Sequence, residues 1–82
     1  MKHLERGNLI VQKTPIFQWW LMQGDNVTDR GLVTKVGQAA TVLEVNFTKE
    51  APLEGYVDAM IGHHTYRTYI RVNKWRSVWE VA

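Results

Sequence analysis

The segment Leu53-Glu54-Gly55-Tyr56-Val57-Asp58-Ala59-Met60-Ile61 decides whether this chain mixes α and β structure or is all β. Its apolar residues Leu53, Tyr56, Val57, Met60 and Ile61 fall at i, i+3, i+4, i+7 and i+8, the spacing of one helical face. Glu50, Glu54 and Asp58, four apart, then form an acidic stripe elsewhere on the same helix. The flanks agree: Thr48 can cap an N-terminus, Pro52 fits a first turn, the carboxylates sit toward the positive end of the helix dipole, and Gly62 follows the last periodic residue as a stop. The spacing predicts a short helix at about residues 49–61. Gly55 opposes it, because a glycine inside a helix costs about 0.5–1 kcal/mol relative to alanine. If that opposition wins, Gly55 to Ile61 is a further strand and the domain is all β.

Outside this segment the period is two. Asn8 to Gln12 reads as a strand with Leu9 and Val11 on one face and Ile10 on the other, and Ile16 to Met22, bounded by Pro15 and Gly24-Asp25-Asn26, reads as a buried strand. Its Trp19 and Trp20 face opposite sides, with Phe17, Trp19 and Leu21 as the inner set. Gly31 to Val36 and Ala40 to Phe47 are expected to form a hairpin across Gly37-Gln38-Ala39, with Thr41, Leu43, Val45 and Phe47 on one face. Tyr66, Thr68, Ile70 and Val72 alternate with Thr65, Arg67, Tyr69 and Arg71, and a turn at Asn73-Lys74 is expected to return the chain as a last strand, Trp75 to Val81. The fold class expected is α+β, mostly antiparallel β. Five or six short strands form a curled sheet or a small SH3- or OB-like barrel, with the one short helix at about 49–61.

The chain has 82 residues, 45% hydrophobic and 22% charged, which suits a single domain spanning 1–82 with residues 1–7 frayed. So short a chain has a thin core, and roughly three of the four Trp are expected in it. The absence of Cys excludes disulfides, thiol nucleophiles and thiolate zinc sites. No apolar run reaches the length of a signal core or a membrane span, so a cytoplasmic protein without membrane contact is expected. The net charge of +2 is uneven: residues 1–64 hold six Lys/Arg against seven Asp/Glu, and residues 65–82 hold four against one.

That terminal surplus supplies the leading functional expectation. Arg67, Tyr69 and Arg71 share one face of a strand, with Lys74 and Arg76 beyond it, so cations flank an aromatic ring at a spacing of about 6.5–7 Å, near the phosphate repeat of an extended single strand. Together with Trp20 as a second stacking platform they outline a nucleic-acid surface that tolerates sequence. Cations on an outward hairpin also protect sheet edges from aggregation, a reading that needs no ligand. The alternative partner is a larger protein, bound or inhibited through exposed aromatics and the stripe Glu50, Glu54 and Asp58, with homodimerisation a further possibility.

Catalysis, cofactors and metals are not expected. His63 and His64 are adjacent and point apart in an extended chain, and His3 stands in the expected frayed end, so no ligand set of three assembles. Ser77, the only Ser, sits in an expected strand rather than at a nucleophile elbow, and no glycine-rich phosphate loop occurs. Asp25 with Asp29, and Glu50 with Glu54, are pairs expected in water, where nothing raises one pKa for acid catalysis.

Overall fold

Gly24-Asp25 and Gly62-His63 each separate two strands whose ends pair directly, Gln23 with Asn26 and Ile61 with His64. Both glycines have φ near +60°, which a two-residue type II′ turn demands at its first central position and which suits the twist of the flanking strands. The computed structural model describes residues 3–47 and 54–82. Its elements are β1 (Leu9–Gln12), β2 (Ile16–Gln23), β3 (Asn26–Lys35), β4 (Ala39–Phe47), β5 (Glu54–Ile61), β6 (His64–Arg71), the one-turn helix α1 (Trp75–Val78) and β7 (Trp79–Val81). They make one antiparallel sheet in the order β3-β2-β6-β5-β4-β1-β7.

The protein is thus mostly antiparallel β, with seven strands among the described residues rather than five or six, in a sheet that curls without closing into a barrel. The curl brings the last strand back over the second, so that Trp79 of β7 stacks on Trp19 of β2 with ring centroids 5.5 Å apart, and Phe17 meets both edge-on. Ile10, Val42, Val57, Ala59, Ile70, Trp75 and Val78 complete the inner layer. Gln12 pins the gap between β1 and β3. Its buried side chain donates to the backbone oxygens of Thr34 at 3.0 Å and Thr14 at 2.8 Å, and accepts from the Thr34 hydroxyl.

The helix expected at 49–61 is not formed in its described part. Residues 54–61 are β5, in register with β4 on one side and β6 on the other; residues 49–53, with Glu50, lie outside the described residues. Gly55 explains the preference. A β-carbon there would run into the backbone oxygen of Asn46 and stand 2.7 Å from the Phe47 Cα, so the glycine lets two strands approach closely. Val57 and Ala59 face the core while Tyr56 and Asp58 face outward under partial cover, and apolar residues on both faces of a central strand imitate helical spacing.

Both expected hairpins pair differently. β3 ends in a turn at Lys35–Gln38, as anticipated, but it pairs with β2, while β4 pairs with β1 and β5. Trp75 to Val78 is helical, and β7 pairs with β1 instead of returning along β6. Trp75, Val78 and Trp79 are all buried, and their i, i+3, i+4 spacing is what one helical turn gathers on one side. In β4 strict alternation breaks at Leu43. Val42 pairs with Ala59 and Glu44 with Asp58, so Leu43 is an extra residue, and beyond this bulge Val45 and Phe47 join Ala40 and Val42 on the core side. The N-terminus is tied from Leu4 onward rather than frayed through residue 7: Leu4 is buried, the Glu5 amide donates to Asn8 Oδ1 at 2.7 Å, and that of Gly7 to the Val42 carbonyl at 2.8 Å. No helix among the described residues is long and apolar enough to cross a membrane.

Candidate functional site

The Gly62-His63 turn fixes the register of β5 against β6, and with it the chemistry of the outer face. Counting back from Ile61↔His64 sets Asp58 opposite Arg67, Tyr56 opposite Tyr69 and Glu54 opposite Arg71. Directly paired residues of an antiparallel ladder lie on the same face, so acids and bases expected on separate surfaces are cross-strand neighbours. On β2, Trp20 pairs with Arg67, and on β4, Glu44 pairs with Asp58.

Asp58 and Arg67 form a bidentate ion pair. Arg67 Nε donates to Asp58 Oδ1 at 2.7 Å and Nη2 to Oδ2 at 2.9 Å, with the two side chains 17% and 8% exposed. The fork geometry satisfies both carboxylate oxygens at once. Arg67 also lies over the ring of Tyr56, its Cζ 3.7 Å from the centroid, and the Tyr56 hydroxyl accepts from Asn46 Nδ2 at 3.3 Å. The hydrogen bond with Asp58 raises the Arg67 pKa beyond its ordinary value, outweighing the opposing effect of burial, with the Asp58 charge and a hydrogen bond with Tyr69 adding to the rise. Arg67 is therefore a permanent cation already matched by a buried carboxylate.

Of the six residues expected to contact nucleic acid, four come together. Arg67, Tyr69 and Arg71 alternate along the outer face of β6, and Trp20 stands beside Arg67 as the one tryptophan that is not buried. Tyr69 is 60% exposed. Lys74 and Arg76 lie past the end of β6, Lys74 as the N-cap of α1 and Arg76 within it, its guanidinium carbon 4.5 Å from the centre of the Trp75 ring. Of the alternative acidic set, Asp58 is buried in the ion pair, Glu54 is the register partner of Arg71, and Glu50 lies outside the described residues. The helical stripe that joined them is replaced by strand β5, in which Glu54 is the first residue and Asp58 lies in the ion pair.

A groove of about 790 Å³ opens beside the ion pair. Its walls are the arm at Leu4 to Arg6, the β4 bulge, the β2–β3 turn and the ends of Tyr56, Asp58, Thr65 and Arg67. Reasoning from sequence missed Tyr56, Leu43 and Met22 as members of this site. The signal was present: a glycine followed by one residue between two alternating runs is a hairpin mark, and pairing outward from it reveals Asp58 opposite Arg67. Among the described residues no group of three His, Cys, Asp or Glu is placed to hold a metal ion.

The chain matches no protein-family model, no curated protein and no solved structure.

Proposed function

We propose that the protein is a binding module that acts without turnover and docks on a larger protein through the outer face of its sheet. The observation that carries this reading is the Asp58–Arg67 pair: the first cation of the basic stripe is spent on a carboxylate of the neighbouring strand, and Glu54 stands opposite Arg71 in register. Binding to a nucleic-acid backbone needs cations that neutralise phosphates, whereas a protein interface favours aromatic and apolar side chains with balanced charge. The outer face offers the second composition. Tyr69, Met60 and Leu9 are exposed there, with Trp20 half-buried among them.

Nucleic-acid binding is the second reading, favoured by the exposure of Tyr69 beside Arg71 and by the placement of Lys74 and Arg76 just beyond. Self-association through sheet edges is less favoured, because β3, the long edge strand, is interrupted by a register irregularity around Thr28 to Arg30 and carries the exposed charges of Arg30 and Lys35. Titration of the intrinsic Trp fluorescence with a mixed-sequence single strand, at low and high salt, separates the two main readings. The protein-docking reading expects an unchanged signal, together with a nuclease-resistant, stoichiometric complex that Tyr69→Ala weakens. Quenching that reverses with salt would replace it with the nucleic-acid reading.

A further inference from the structure

The sheet has register irregularities on two strands, and both border the groove. The β4 bulge carries Leu43 out of the alternation, and the shift in the β2–β3 ladder between Trp20 and Met22 leads into the turn that presents Met22 and Asp25. Bulges bend strands and re-aim side chains, so the concavity is built into the backbone rather than left by a missing side chain. Its volume of about 790 Å³ falls within the roughly 300–1,000 Å³ of ligand clefts. Apolar side chains line it, Met22 and Leu43 among them, while its charged lining is four carboxylates, Glu5, Asp25, Glu44 and Asp58, against Arg6 and Arg67. Since Asp58 and Arg67 neutralise each other, what faces an incoming ligand among the described residues is Glu5, Asp25 and Glu44, all exposed, against Arg6.

We infer that the groove receives a peptide segment of a partner protein in which an apolar side chain is flanked by Lys or Arg. The apolar side chain seats against Met22 and Leu43, and the flanking cations meet Asp25 and Glu44 at the rim. The carboxylate surplus repels phosphates, so this surface selects against a nucleic-acid backbone and for a basic peptide. The inference rests on the protein-docking reading and adds to it the place of contact and the chemistry of the partner.

The test is selection of displayed random dodecapeptides on the immobilised full chain, followed by synthesis of the enriched consensus and measurement of its affinity by fluorescence anisotropy. Enriched peptides are expected to carry Lys or Arg beside an apolar residue. The double substitution Asp25→Lys with Glu44→Lys, at two exposed positions that leave the core untouched, is expected to weaken the consensus peptide at least about tenfold, while the charge reversal Glu80→Lys, at an exposed position outside the groove lining, leaves it unchanged. Peptides that bind through Tyr69 and ignore the double charge reversal would overturn the groove assignment while leaving protein docking standing. Selection that yields no binder, or binders without basic residues, would also overturn it. Salt-reversible binding of a single strand in place of any peptide would remove both readings.

Discussion

Asp58 and Arg67 illustrate how far a residue's role depends on its partner. Arg67 alone is a surface cation on an alternating strand; with Asp58 opposite it becomes half of a largely buried pair under the cover of Tyr56. Removing one partner strands the other charge, so Arg67→Ala is expected to cost about 2–4 kcal/mol in urea denaturation, while Asp58→Leu with Arg67→Leu recovers much of that loss. The pH dependence has a definite sign. Because folding raises the Arg67 pKa above its already high ordinary value, its contribution is fully present below the unfolded pKa and fades only as pH rises through the still higher folded one. Titrations between pH 5 and 9 should therefore show no change in stability traceable to this arginine. Gly55 makes the complementary case for backbone. Its missing β-carbon meets main-chain atoms of Asn46 and Phe47 that cannot swing aside, so Gly55→Ala should destabilise by about 1–3 kcal/mol on a thermal or urea melt, although alanine has the better propensity in a helix. A stabilising Gly55→Ala would restore the helix for residues 49–61. The cations were legible in the sequence, because alternation places Arg67, Tyr69 and Arg71 on one face. The carboxylate that neutralises Arg67 was hidden while its segment read as a helix.

At the scale of elements the turns were easier to read than the strands they join. Glycine at Gly24 and Gly62, and the turn near Gly37, mark chain reversals locally, since a left-handed φ or a short reversal is a property of a few residues. Whether the strand after a turn returns beside the strand before it depends on other strands competing for the same edge. β4 leaves β3 because β1 and β5 flank it, and β7 leaves β6 because one turn of helix re-aims the chain toward β1. Gln12 supplies the test at this scale. Its amide links β1 to Thr34 of β3 across a gap that no backbone ladder spans, so a double-mutant cycle of Gln12→Leu and Thr34→Val should return a coupling energy of about 1 kcal/mol or more. Additive effects would mean that the Gln12 amide does not help to hold the curl of the sheet.

For the whole molecule, size sets the terms. A chain of 82 residues leaves little interior, and three of the four tryptophans occupy it: Trp19, Trp75 and Trp79 are each less than 5% exposed. Trp79→Ala should cost about 3–5 kcal/mol, since it opens a cavity where β7 folds over β2, whereas Trp20→Ala should cost markedly less and act mainly on partner binding; urea melts of the two variants check the contrast. The tail's +3 surplus was visible in the sequence, but whether it makes a basic surface was not, because Glu54 and Asp58 precede the tail in the chain and lie beside it in space. By itself the sequence determined what depends on near neighbours along the chain: the extended segments of β1, β2, β4 and β6, the turns between runs, the freedom from disulfides, and how many tryptophans must be buried. The tertiary structure alone decided the identity of residues 54–61, the partners of β3, β4 and β7, the neutralisation of Arg67 and the groove beside it. The physical reason is that alternation and helical spacing are short-range properties which a segment with apolar residues on both faces can satisfy together. Register, charge pairing and concavity come from hydrogen-bond ladders between segments far apart in the chain, whose choice rests on the packing of the whole.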